Sequence, residues 1–165
     1  HNATDILTLA CLAGIVPYAF KDPAKASLKR GTLKHGAEMA GIARWLREAG
    51  ELEQALVLFR RAIEAGLKDD LLFRTMWDIG MLERRMGRSP LETWTNLASC
   101  RNDYRVKALE ELAKHYEHRE KDYVRALEIT REARELGDSE EWKRREERLG
   151  RRFTQMNADR KKRRR

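Results

Sequence analysis

Small side chains recurring at helical spacing along three successive pairs of segments constrain this chain more than any other feature. The first pair spans 33–49 and 52–65, split by Gly50 and ended by Gly66. The second spans 70–86 and 90–99, split by Gly87, and the third spans 105–119 and 123–136, ended by Gly137. In the first pair Met39, Ile42, Ala43, Leu46, Ala55, Phe59 and Ala62 make a series of large and small residues. In the second, Met76, Ile79 and Gly80 fill the first helix, and Trp94 supplies the aromatic of the other if the turn is about two residues short. In the third, Leu109, Leu112, Ala113, Tyr116, Tyr123, Ala126 and Ala133 fit, with one extra residue in the turn over 117–122. Alanine or glycine on each facing turn lets two helices approach closely while a large side chain of one fills the groove of the other.

A unit of roughly 34–37 residues built in this way is a tetratricopeptide-like repeat. The expected fold class is all-α: an α-solenoid of about three helix pairs over 33–158, preceded by an N-terminal helix and closed by a capping helix. A generic helical bundle with alanines at helical spacing is the alternative. Within the second pair, Ser89-Pro90-Leu91-Glu92 predicts a capped start, with serine as N-cap, proline at the first helical position and glutamate three residues after the cap. The last helix starts after Asp138 or Ser139 and runs to about 158. Its apolar residues, Trp142, Leu149, Phe153 and Met156, form one narrow stripe in a densely charged segment. A helix with one apolar side and one wet side suits the end of a stack.

Composition agrees with thin apolar stripes on charged helices: 41 % of residues are hydrophobic and 38 % charged, with only 3 prolines. The net charge of +8 is uneven, because Arg160, Lys161, Lys162, Arg163, Arg164 and Arg165 supply six of it and leave +2 for the rest. Residues 159–165 are expected to be a disordered basic tail. Cys11 and Cys100 have no metal-ligand spacing, and two unpatterned cysteines suit a reducing compartment. The apolar run from Ile6 to Phe20 is too short to span a bilayer, is interrupted by Pro17, and is preceded by Asp5 without a basic residue. A cytoplasmic protein that does not engage a membrane is therefore expected.

The first helix of each pair would line the concave side of such a stack. That register turns Arg44 and Arg47 inward from the first pair, with Arg74, Trp77, Met81, Arg84 and Arg85 from the second. The third gives Lys107, Glu110 and Lys114, with Glu117 and His118 near the rim. Seven cations among few acids suit a carboxylate or phosphate, and Trp77 adds a stacking surface. An acidic peptide segment, or a partner's C-terminal carboxylate, is one expected ligand of this groove. A solvated face of paired charges is the alternative. The run 160–165, with Arg151 and Arg152 before it, would supply sequence-independent phosphate contacts to nucleic acid, or serve only as a solubilising end. The serines carry no nucleophile signature, no glycine-rich phosphate loop occurs, and His115, Glu117 and His118 make only a weak metal pattern.

Three segments carry a resemblance to a known arrangement: HNATDILTLACL (1–12), IARWLREAGELEQALVLFRRAIEAG (42–66) and ALEELAKHYEHREKDYVRALE (108–128). They resemble bacterial proteins of the YprB type, in which a ribonuclease H-like, exonuclease-type domain is followed by tetratricopeptide repeats. The first segment is similar to the last helix of the nuclease domain, so the resemblance implies that 1–20 closes such a domain. It further implies a 3'–5' exonuclease in the intact protein, with four carboxylates holding two divalent ions, Mg or Mn. Asp5 would be the fourth of these carboxylates and a metal ligand, and His1, four residues earlier, would act on the attacking water. The four-residue gap with histidine departs from the family's usual spacings. Read without the resemblance, Asp5 is a first-turn carboxylate favoured by the helix dipole. One carboxylate cannot hold two metals, so these 165 residues are expected to be a binding or targeting module, needing no cofactor and not themselves an enzyme. The alternative is a free-standing protein–protein interaction domain.

Overall fold

The structure, a computed structural model, describes residues 6, 35–137 and 139–163, with side chains described as far as 156. The described residues are all-helical, with seven α-helices, one π-helical segment and no strand. They divide into two compact units between Ser89 and Pro90. Of the expected N-terminal helix only Ile6 is described, and it is helical. His1, Asp5, Cys11 and the apolar run beyond Ile6 lie outside the described residues.

The first unit holds α1 (Gly36–Glu48), α2 (Leu52–Glu64) and α3 (Asp69–Arg85). Connections of three and four residues keep consecutive helices packed on one another. Ala40, Ala43, Leu46, Phe59 and Ala62 have no exposed surface, and Ile79 and Leu82 of α3 join the same core. Ala43 on α1 and Ala62 on α2 are the small residues that allow close approach. Gly36 shows it most sharply: a Cβ there would stand 2.5 Å from the Ala62 carbonyl oxygen and 2.6 Å from that of Gly66.

The second unit holds α4 (Leu91–Ser99), α5 (Arg105–His115), the π segment (Tyr116–Glu120), α6 (Tyr123–Leu136) and α7 (Glu140–Arg163). Trp94 is almost fully buried in α4, as its place in the series predicts. Ser139 caps α7 by accepting the Trp142 N–H at 3.4 Å, and Asp122 caps α6 by accepting the Arg125 N–H at 3.1 Å. The capping box expected at α4 does not form. The helix opens at Pro90, whose carbonyl accepts the Trp94 N–H at 3.0 Å, with no side-chain cap bond and with Ser89 exposed. The last helix is longer than expected and stays helical through Arg163, so the tail assigned from 159 begins as helix.

The exits from α1, α3 and α5 follow one plan. After α1 the chain turns through Gly50 at φ 88°, and the Glu51 N–H donates to Leu46 at 2.9 Å. After α3 it turns through Gly87 at φ 73°, and the Arg88 N–H donates to Glu83 at 2.8 Å. Each is a left-handed exit that satisfies an orphan carbonyl of the last turn. After α5 the left-handed residue is Lys121, at φ 55°, and the N–H groups of Lys121 and Asp122 both reach Tyr116. Asp122 therefore reaches back one residue further than Glu51 or Arg88 does. The widened π turn absorbs the extra residue seen in the sequence. Ala43 and Gly80, both buried, stand seven positions before their left-handed glycines, and buried Ala113 stands eight before Lys121.

A left-handed lysine carries a steric cost that glycine does not. Lys121→Gly is expected to stabilise the second unit by about 0.5–1 kcal/mol, the steric relief exceeding the extra chain entropy. Urea unfolding followed by tryptophan fluorescence would measure it, and a loss of stability would contradict the conformational account.

Candidate binding site

The residues expected to line a groove fall in different units, so each set stands by itself. On α1, Arg44 and Arg47 are one turn apart and both reach Asp78 of α3. Arg44 Nε donates to Oδ2 at 2.8 Å, and Arg47 Nη1 donates to Oδ1 at 2.7 Å. The Arg44 guanidinium also lies 6.0 Å from the centre of the Phe59 ring. One carboxylate thus holds two arginines, and it fastens α1 to α3. On α3, Arg74, Arg84 and Arg85 are exposed, while Trp77 and Met81 are half-buried. Arg60 and nearly buried Glu83 make a second tie between α2 and α3 at 2.8 Å, and Arg88 pairs with Glu53.

In the second unit, Lys107 sits 5.4 Å from the centre of the Tyr104 ring. Lys114 is held at 2.6 Å by Glu110 and 3.0 Å by Glu111. Burial pulls the Lys114 pKa down, but the hydrogen bonds and charge of these two glutamates outweigh it and leave it raised. Arg44, Arg47 and Lys114 are therefore engaged by carboxylates of their own unit.

The densest charge cluster is one the sequence reading did not assemble. Glu117, expected near a rim, is buried in the π segment and accepts two hydrogen bonds from Arg148 of α7, 3.0 Å from Nε and 2.9 Å from Nη2. Burial pushes its carboxyl pKa up, but the bonds and charge of Arg148, with His118 and Arg145 adding to them, hold it below the ordinary glutamate range. The same pairing raises the Arg148 pKa. Arg145 is 7 % exposed and stacks 5.5 Å from the Trp142 ring, with its Nη1 atom lacking a hydrogen-bond partner. Arg125 lies 4.6 Å over Tyr116, and Arg152 lies 5.5 Å over Tyr123. Both tyrosines pack on the small core of Ala126, Leu127 and Leu149. Arg148 and Arg145 thus offset the buried Glu117 carboxylate, while Arg125 and Arg152 lie over tyrosines of the same small core where the π segment, α6 and α7 meet.

Further along α7, Glu146 accepts from Arg131 and Arg134 of α6, both at 2.8 Å, and these bonds lower its pKa. An open cleft of about 420 Å³ beside them is lined by Arg131, Arg134, Glu135 and Glu146, two cations against two anions.

His115 and His118 do not converge with Glu117 on a common point. His115 pairs with Glu120 at 3.3 Å, and Glu117 is spent on Arg148. Among the described residues, no group of three or more His, Cys, Asp or Glu could hold a metal ion. No helix among them is long and apolar enough to cross a membrane. Cys100 is exposed with a free thiol. The spacing of Arg145, Arg148 and Arg152, three and four residues apart, was the available signal for the cluster. What hid it was Glu117, whose partner lies 31 positions away in sequence.

The described residues define a class: an all-helical protein whose neighbouring helices are tied by arginine–carboxylate bridges. No family model matches it. It is similar to the uncharacterized protein YprB of Bacillus subtilis (strain 168), with 27 % identity over 136 residues. The match covers 81 % of this chain and 31 % of that relative, so the chain spans about a third of its length.

Proposed function

We propose that this chain is a tetratricopeptide-like binding module of a protein with a ribonuclease H-like, 3'–5' exonuclease-type domain, and that its basic C-terminal helix holds nucleic-acid backbone. The matched exits from α1, α3 and α5, with Ala43, Gly80 and Ala113 in the same relation to them, support the repeat reading. The similarity to YprB, together with the resemblance of 1–12 to the closing helix of such a nuclease, supports the attachment. Asp5 and His1 would belong to that nuclease domain, with Mg or Mn supplied there. The chemistry would need carboxylates beyond this chain.

The observation that carries the nucleic-acid half is the charge of α7. From Arg148 to Arg163 it holds seven basic residues and one acid, Asp159. Phosphate neutralisation by such a row is independent of sequence and steep in salt. Fluorescence anisotropy with a labelled oligonucleotide tests it. Affinity should fall by about 10²-fold or more between low and physiological salt, and should drop when 160–165 are removed. Binding that ignores both salt and the tail would exclude the proposal.

A protein-interaction domain that captures acidic peptides is the second reading, favoured by the three exposed arginines of α3 beside Trp77. Arg44 and Arg47, expected to face the same ligand, both bond Asp78 of α3. Alanine at Arg74 and Arg84 together would abolish capture of such a peptide, and unchanged capture would remove it.

A further inference from the structure

We infer that the junction of the π segment, α6 and α7 is a phosphodiester-binding seam for a single nucleic-acid strand, with Arg125, Arg148 and Arg152 as its contact residues. It rests on the nucleic-acid reading above and gives that reading a folded site in place of a basic terminus. Three observations carry it. Each guanidinium is already oriented by the fold: Arg148 by two bonds to Glu117, Arg125 over Tyr116, and Arg152 over Tyr123. Pre-oriented arginines lose little further freedom on meeting a phosphate, so more of the contact energy remains as affinity. Each also stays open to solvent, and Arg148 keeps 45 % of its side chain exposed although its partner is buried.

The seam is also unbalanced in charge. Arg125, Arg145, Arg148 and Arg152 stand against two carboxylates, Glu117, whose charge Arg148 offsets by two hydrogen bonds, and Asp122, which caps α6 at the Arg125 N–H. The cleft at Glu146 differs in being neutral. Arg148 and Arg152 are one helical turn apart, about 6 Å along α7. They form a short row on the part of α7 that packs against α6 and the π segment. A strand free to bend can follow such a row, with each contact adding to its salt dependence.

The test uses the 165-residue chain and a labelled single-stranded oligothymidylate, comparing Arg125→Gln/Arg152→Gln with a charge-matched control. Lys68→Gln/Arg101→Gln removes two exposed cations from elsewhere. The seam variant should lose about tenfold or more in affinity at low salt, with its log–log salt slope reduced by about 1.4, while the control stays within about twofold of wild type. Melting curves of both variants show whether the fold is kept. If the seam variant binds as wild type does while removal of 160–165 abolishes binding, the seam is wrong and the module reading stands. If the wild-type chain does not bind the strand, both fall. Equal losses in control and seam variants, tighter binding of a duplex, or displacement as effective by inorganic phosphate or polyglutamate would each overturn the seam.

Discussion

Replacing Arg148 with alanine is expected to destabilise the second unit by about 3 kcal/mol, because it strands a fully buried carboxylate. Glu117 has no exposed side-chain surface and takes both of its strong hydrogen bonds from that one guanidinium. The reverse substitution, Glu117→Gln, should cost less, about 1–2 kcal/mol, since half-exposed Arg148 can turn to water. The two variants therefore separate a buried-charge penalty from simple loss of a bond. They also differ in pH response. Glu117 has a folded pKa below its unfolded one, so its contribution is complete above the ordinary glutamate range and is lost as pH falls through the depressed value. Wild type should lose stability on acidification from about pH 6 toward about pH 3. In Arg148→Ala the upward pull of burial is no longer outweighed by this partner, and the acid-side loss should shrink. Urea unfolding across that range, read by tryptophan fluorescence, measures both effects. Equal acid sensitivity in the two proteins would show that the pair is not its source.

The second large effect is expected in the first unit. Gly36→Val should cost about 3 kcal/mol, because the new Cβ would meet two backbone carbonyls, of Ala62 and Gly66, at 2.5 and 2.6 Å, and Leu67 Cδ2 at 2.8 Å. Carbonyl oxygens cannot swing aside as a flexible side chain can, so α1 must move off α2 and open the core around Ala40, Phe59 and Ala62. Gly41→Ala on the same helix is the control. A Cβ at Gly41 meets nothing within 4 Å, and alanine improves helix propensity by about 1 kcal/mol, so the protein should gain stability. Thermal unfolding of both proteins decides it. A Gly36→Val protein as stable as wild type would mean that the close approach is not a constraint.

Most helix bounds were legible because they depend on local chemistry. Gly50, Gly66 and Gly87 take left-handed conformations where the sequence places breaks, and Asp122 and Ser139 act as caps beside apolar stripes. Ser89 misled because Pro90 moved the helix start by one residue and left the serine in solvent. The charged contacts were less legible. The sequence marks Arg44 and Arg47 as one face of a helix but does not reveal that Asp78, more than thirty positions away, has claimed both. Glu117 looks like any surface acid in a run of charges until α7 brings Arg148 over it. Such pairings depend on which helices become neighbours, and residue spacing within one helix carries no information about that.

The wide turn at the end of α5 has a consequence for how chains of this kind vary. By taking one residue out of line at a helix end, it lets a hairpin grow longer while Ala113 keeps its depth in the packing. Length and fit are thereby uncoupled at that point. Kindred sequences should gather their insertions at such exits, leaving the small-residue ladder upstream in step. Alignments of them belong with gaps at the ends of helices and none within.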